Sequence, residues 1–205
     1  MKFPTTRLDR KDITTNPFAQ FDRWYRHAKQ AIGEEDAQVM TLSTIDLEGF
    51  PDGRMVLLKD YDSKGFVFYT NLESKKGRSL LKNNRAALTF FWPTLHRQIR
   101  IQGTTTLVNT GEADTYFRSR ARISQLGAWA SQQSELLDSR GTLEKRVLAM
   151  DLLYKGKEVP RPPYWTGFFV KPTSFEFWQA GEYRLHDRFA YIPKGTRWMI
   201  SRLYP

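Results

Sequence analysis

Cysteine is absent from this 205-residue chain. Disulfides, thiolate nucleophiles and Cys-based zinc or iron–sulfur centres are therefore excluded, and the composition suits a reducing compartment. Histidine is scarce, with only His27, His96 and His186. No HExxH pair occurs and no acidic and histidine residues cluster at metal-ligand spacing, so a dedicated metal centre is not expected. Nowhere do eighteen apolar residues run together, and the N-terminal MKFPTTRLDRKDITTNP lacks the apolar stretch of a signal peptide. A soluble, cytoplasmic protein without a membrane partner is expected. Neither GxGxxG nor GxxxxGK[ST] is present, so any bound phosphate must be held by side chains.

Positive charge is in excess. The 32 lysines and arginines outnumber 22 acidic residues, for a formal charge of +10. The favoured partner is anionic, and nucleic acid, acidic lipid and phosphorylated small molecules all satisfy that requirement. Aromatic residues make up 14% of the chain, enough for a deep core, an obligate interface, or rings stacked on a planar ligand. The length suits one domain over residues 1–205, with 1–15 read as a flexible arm.

Along the chain, Asn16-Pro17 reads as an N-cap with proline at the first helical position. Phe18, Phe21, Trp24 or Tyr25, Ala28 and Ile32 then recur at helical spacing. From Gln38 short β-rich runs alternate with turns: VMTLSTI, RMVLLKDY and FVFYT. Ser74 can cap a short helix, SKKGRSLLKNN, before the strand-like RAALTFFW and HRQIRIQGTTTLV. Helical pattern returns as one run from Thr110 to about Ser131, and again from about Thr142 to Tyr154, where Leu143, Val147, Leu148 and Leu152 line one side. EVPRPPYW reads as a connector. TGFFV, SFEFWQ and a hairpin around Pro193 to Thr196 close the chain. Strands dominate and neighbour each other in sequence, so the expected fold is mainly β and antiparallel, a barrel with appended helices.

Four clusters offer phosphate-binding chemistry. They are Arg54 with Lys59, Tyr69-Thr70 with Ser74-Lys75-Lys76, Tyr116 with Arg120 and Ser124, and Arg184 with His186 and Arg188. Lysines at a helix N-terminus oppose the macrodipole, and an anion there resolves the conflict; a solvated helix start is the plainer alternative. Tyr116 and Arg120, four apart, share a face of the expected helix, with Ser124 one turn on. An extended Arg184–Arg188 would put Arg184, His186 and Arg188 on one strand face, where three cations call for an anion. Arg54 and Lys59 would face opposite sides of a regular strand, so they must act at different ends or across a bulge.

The run FEFWQAGEYRLHDR resembles the signature of the pyridoxamine 5'-phosphate oxidase family. RMVLLK, FYTNLESKK, RQIRIQG, YFRSRARISQLGAWASQQS and WMISRLYP match further family segments in the same order, covering about Asn16 to Pro205. The resemblance implies an FMN-binding split β-barrel and a homodimer with intersubunit sites. It implies FMN contacts from Arg54, Met55, Val56, Leu57, Leu58 and Lys59, from Tyr69, Thr70, Lys75 and Lys76, and from Gln98, Gln133, Ser134, Trp178 and Arg188. Lys59, Tyr116, Arg120 and Ser124 would hold the substrate phosphate, and Arg184 and His186 would approach its reacting side as catalytic residues. The implied reaction, in vitamin B6 metabolism, oxidises pyridoxine or pyridoxamine 5'-phosphate to pyridoxal 5'-phosphate with molecular oxygen, releasing hydrogen peroxide. Many relatives carry proline where this chain has Ala121, which as a helical alanine should matter little.

Two rivals fit part of the sequence. A basic barrel binding single-stranded nucleic acid satisfies the charge equally, but the cations fall in small separated clusters and no RNA-binding signature is present. A non-catalytic flavin-binding barrel shares the fold but would lack the Arg184/His186 pair.

Overall fold

The computed structural model describes residues 7–205. Nine strands form one antiparallel sheet: β1 (Val39–Ile45), β2 (Pro51–Leu57), β3 (Asp60–Tyr61), β4 (Phe66–Asn71), β5 (Arg85–Trp92), β6 (Arg97–Leu107), β7 (Trp165–Gln179), β8 (Asp187–Lys194) and β9 (Arg197–Leu203). Their order is β2-β1-β5-β6-β7-β4-β3, with β8 and β9 continuing from the far end of β7. Helices are α1 (Pro17–Ile32), α2 (Glu34–Ala37), α3 (Lys75–Lys82), α4 (Thr110–Ser119), α5 (Arg122–Ala130) and α6 (Arg140–Leu153).

Period-two alternation decides which sheet face is core. Met40, Leu42, Leu88, Phe90, Ile99, Ile101, Phe175 and Phe177 are buried, while their neighbours Thr41, Thr89, Arg100 and Glu176 form a polar row on the opposite face. Helix α1 covers the apolar face. Asn16 starts it by accepting hydrogen bonds from the Phe18 and Ala19 N–H groups at 2.9 and 3.4 Å. Its Phe21 meets Phe66 and Phe90 at 4.8 and 5.2 Å, and Trp24 meets Phe177 at 5.4 Å. Each such ring contributes about 1.5–3 kcal/mol on burial.

The two runs expected at TGFFV and SFEFWQ join into the single fifteen-residue β7. Pro172 lacks a ladder donor, and the register shifts beside it: Gln102 pairs Ser174 while Gly103 pairs Pro172, leaving Thr173 extra. Any Cβ on Gly103 would overlap the Lys171 carbonyl, so glycine is what lets β6 and β7 close at this bulge.

The single helix expected after Thr110 is two. Arg120 (φ −75°, ψ 149°) and Ala121 (φ −53°, ψ 137°) are extended between α4 and α5. The cause lies in a tertiary contact: Gln125 Nε2 donates to the Phe117 and Arg118 carbonyls at 2.9 and 3.2 Å and so caps the end of α4. Ala121 is the N-cap of α5, not a helical alanine. In α6, Leu148 and Leu152 remain 64% and 73% exposed, and the helix buries no residue. Of the arm expected over 1–15, residues 1–6 lie outside the described residues. Leu8 and Ile13 are buried, Leu8 N–H donates to Asp187 Oδ2 at 2.9 Å, and Tyr191 OH donates to Thr14 O at 2.8 Å.

Proline fits the Ala121 backbone. Its φ is within proline's range, Arg120 before it is already extended, and Ala121 N–H makes no hydrogen bond among the described residues. Ala121→Pro is predicted to stabilise by about 0.4–1 kcal/mol through the unfolded chain. Thermal unfolding that shows a clear loss would contradict this backbone assignment.

Candidate active site

A cleft of ≈ 490 Å³ opens where the end of β2 meets β4, α4, α5 and the start of β7. Strand β2 breaks at Leu58, whose N–H donates to Gln38 O at 2.8 Å. The next residue, Lys59, donates its N–H to Val67 O at 2.9 Å. This break settles the conflict between Arg54 and Lys59: Arg54 lies inside β2 opposite Leu42, whereas Lys59 lies beyond the strand and lines the cleft. Its ammonium donates to Gln38 Oε1 at 2.8 Å. Burial, then the Arg120 charge, pushes the Lys59 pKa below its ordinary value, with Glu34 opposing.

Tyr116, Arg120 and Ser124 line the same cleft, delivered from α4, the break and α5 rather than from one helix face. The Arg120 guanidinium carbon lies 4.7 Å from the Trp165 ring centre and 5.7 Å from that of Phe117. Its Nη1 is buried with no hydrogen-bond partner among the described residues. Tyr69 and Tyr116 stack at 4.0 Å, and burial pushes both phenol pKa values up, so they stay neutral donors. Two cations therefore share a half-buried cleft whose lining, among the described residues, has two neutral phenols and no carboxylate.

A second cation group surrounds the start of α3. Ser74 Oγ accepts the Gly77 N–H at 3.2 Å, and a Cβ on Gly77 would overlap the Leu72 carbonyl, which seats the helix start on the end of β4. Lys75 N–H donates to Ser134 Oγ at 3.1 Å, and Lys76 Nζ donates to Gln133 Oε1 at 3.0 Å. Thr70 Oγ1 also reaches Gln133 Oε1 at 3.4 Å. Lys76, Thr70 and Gln133 line the cleft, as do Met55, Val56, Leu57 and Tyr69, whereas Leu58 is buried behind it. Burial, then Arg54, pushes the Lys76 pKa down. Arg54 pairs with Asp52, and Lys75 pairs with Asp46 and Asp52 at 3.2 and 3.5 Å. Asp46 and Asp52, within the Ile45–Pro51 connection and the start of β2, are functional neighbours that sequence reading missed. So is Trp165.

The remaining predicted residues lie elsewhere. Gln98, Trp178 and Arg188 form one cross-strand row over β6, β7 and β8. Arg188 Nε donates to Glu176 Oε1 at 2.9 Å and its Nη1 to Tyr204 O at 3.0 Å. The His186 ring centre is 4.7 Å from that of Trp178, and its Nδ1 accepts the Gly181 N–H at 3.1 Å, leaving Nε2 to carry the proton of the neutral ring. His186 lines a separate cleft of ≈ 300 Å³ with Gly181, Asp187, Arg202 and Tyr204.

The extended reading of Arg184–Arg188 is not met. Glu182–Arg184 is a 3₁₀ turn, Tyr183 and Arg184 have φ of 55° and 62°, and β8 begins only at Asp187. The cause is Gly181, which packs so close to the Leu185 carbonyl that a Cβ would overlap it; the chain doubles back here instead of running straight. Arg184 is exposed. The two clefts sit at opposite ends of β7. Trp165 and Trp178 are up to about 40 Å apart along it at roughly 3.3 Å per residue.

Residues 27–154 match the family described as pyridoxamine 5'-phosphate oxidase. The chain belongs to this family. Residues 165–205 match its C-terminal dimerisation region, which contains the whole Trp178, His186 and Arg188 half. The chain is 49% identical over 193 residues to the pyridoxine/pyridoxamine 5'-phosphate oxidase of Zymomonas mobilis, covering 94% of this chain and all of that one. It is 52% identical over 191 residues to that of Maricaulis maris, covering 92% and 86%. Among solved structures, PhzG from Burkholderia lata, in complex with tetrahydrophenazine-1-carboxylic acid, superposes with a TM-score of 0.88 at 29% identity over 97% of this chain and 98% of that one. A family-related FMN-binding protein from Nostoc punctiforme gives 0.72 at 15% over 92% and 97%, a likeness of fold.

The depressed Lys59 pKa carries a pH prediction. An anion in the first cleft favours charged Lys59, so affinity is full below the folded pKa and falls as pH rises through it, at a pH below the ordinary 10.5. In the free protein the same shift makes stability rise with pH in that window, because the unfolded chain holds the extra proton. Affinity for a phosphate monoester, measured from about pH 7 upward where the dianion dominates, should show this alkaline limb, and Lys59→Arg should remove it. A limb unchanged in Lys59→Arg would contradict the assignment.

Proposed function

We propose that this chain is an FMN-dependent pyridoxine/pyridoxamine 5'-phosphate oxidase acting in the cytoplasm as a homodimer, each site built from the first cleft of one protomer and the Trp178/His186 half of its partner. The observation that carries this reading is one cleft lined by Lys59, Arg120 and Lys76, with Arg54 and Lys75 grouped around the same helix start as Lys76 but outside the lining. Lys59 and Arg120 form no ion pair among the described residues, and Arg54, Lys75 and Lys76 exceed Asp46 and Asp52 by one charge. Two phosphates, one on the substrate and one on the cofactor, satisfy both groups.

FMN fits the residues present. Among the described residues half-buried Lys76 has only the neutral Gln133 as its side-chain hydrogen-bond partner, and it stands at the N-terminus of α3 where the helix field favours an anion. Bound FMN would supply the hydride acceptor: the alcohol of pyridoxine 5'-phosphate would lose a hydride and a proton to give the aldehyde, the amine of pyridoxamine 5'-phosphate would be oxidised to an imine that water hydrolyses with release of ammonia, and molecular oxygen would take the two electrons as hydrogen peroxide. The chain's own work is alignment and charge. Lys59, Tyr116, Arg120 and Ser124 grip the substrate phosphate. Arg54, Lys75, Lys76, Thr70, Gln133 and Ser134 hold the cofactor phosphate end, and Gln98, Trp178 and Arg188 of the second half meet its rings. His186, its Nδ1 accepting the Gly181 N–H, and Arg184 of the exposed turn would approach the substrate's reacting side.

The purified protein should be yellow, and its visible absorbance should bleach when pyridoxine 5'-phosphate is added without oxygen. A colourless protein that does not take up FMN would overturn the reading. Losing one partner of a buried charged pair costs about 2–5 kcal/mol, so Arg120→Ala should lose roughly 30- to 3,000-fold more catalytic efficiency on pyridoxine 5'-phosphate than on pyridoxine. Lys76→Ala should instead weaken FMN retention, seen by fluorescence of released flavin. Equal losses on both substrates in Arg120→Ala would show that phosphate binds elsewhere.

A further inference from the structure

Trp165 opens β7 opposite Asn71 of β4 and is buried. Its indole lies parallel to Tyr69 at 5.2 Å and 8°, and Tyr69 in turn stacks on Tyr116. Its carbonyl accepts Arg161 Nη1 at 2.6 Å, and Arg161 Nε pairs with Asp114 of α4 at 2.6 Å. The ring is thus fixed on three sides, by its strand, by its stack and by the helix that leads into Arg120.

Arg120 needs such a support. It sits at an extended break between helices, its Nη1 is buried without a hydrogen bond, and it has no ion pair among the described residues. A carboxylate would hold the guanidinium but would also consume its charge and its N–H donors. A ring face attracts the same cation and takes none of the donors. We propose that Trp165 is a positioning residue for the substrate phosphate, its indole holding Arg120 in place of a counter-ion so that the guanidinium edge stays free for phosphate. The inference rests on the assignment of Arg120 to that phosphate. Trp165 touches neither reacting atom; it acts through Arg120.

The test uses the FMN-loaded protein, with anaerobic flavin reduction followed at increasing pyridoxine 5'-phosphate. The concentration dependence gives the Kd and the plateau gives the limiting rate. Trp165→Leu should raise the Kd roughly 3- to 30-fold, the range of a partly desolvated cation–π contact, with the effect in Kd and not in the limiting rate. The loss on pyridoxine 5'-phosphate should exceed that on pyridoxine by the same factor. Trp165→Phe, which keeps a weaker aromatic face, should lose less with the same selectivity. It serves as the readout if Trp165→Leu does not fold. In an Arg120→Ala background, Trp165→Leu should add no further phosphate-selective loss, because its target is gone. Equal losses on both substrates, or an undiminished selective loss in the Arg120→Ala background, would overturn the proposal. If Arg120→Ala itself fails to discriminate the substrates, the phosphate-site reading fails instead, whatever Trp165 does.

Discussion

Lys59 and Arg120 lie in one half-buried cleft and form no ion pair with a carboxylate among the described residues, and much of the local architecture serves to tolerate that repulsion. Desolvated like charges are costly, and the depressed pKa of Lys59 registers the cost. The fold offsets it with neutral groups: Gln38 on Lys59, the Trp165 ring on Arg120, and two stacked tyrosines whose phenols stay protonated. The helix break that places Arg120 is itself held by Gln125 on the last carbonyls of α4. An anionic ligand removes the conflict, so the same constraint that costs the fold stability supplies affinity for phosphate.

Strand β7 sets the second constraint. It borders the first cleft at Trp165 and carries the Trp178 row at its other end, so one chain supplies residues to two different clefts. Residues 165–205, which include Trp178, His186 and Arg188, match a dimerisation region, which supports a homodimer. The polar outer face of the sheet carries Met55 and Phe91 at 61% and 55% exposure, apolar area that a partner would cover.

Much of this was legible in the sequence, for identifiable reasons. VMTLSTI and RAALTFFW correspond residue for residue to β1 and β5, because alternation there is set by one buried face. Asn16-Pro17 marked the start of α1, and Ser74 that of α3, because caps are local chemistry. The break at Arg120 was not legible, since it depends on a side chain five residues on reaching back over α4. Nor was the turn at Tyr183, where RLHDR alternates like a strand but Gly181 makes a close approach that periodicity does not record. Trp165 stood at the end of a proline-rich connector, Asp46 fell in the turn after VMTLSTI, and Asp52 carried no reading of its own. Their roles arise only when β2, α3 and β7 converge.

The central claim is that a working site needs the Arg120 half of one protomer and the His186 half of the other. Hybrid dimers test it most directly. Arg120→Ala and His186→Ala chains, each defective on pyridoxine 5'-phosphate as a homodimer, are co-expressed with different tags, and the mixed dimer is isolated. The account predicts that one of the hybrid's two sites carries both substitutions while the other is intact, restoring about half the parental turnover per dimer. A hybrid no more active than the two defective homodimers would show that each site is built within a single chain, and would contradict the account.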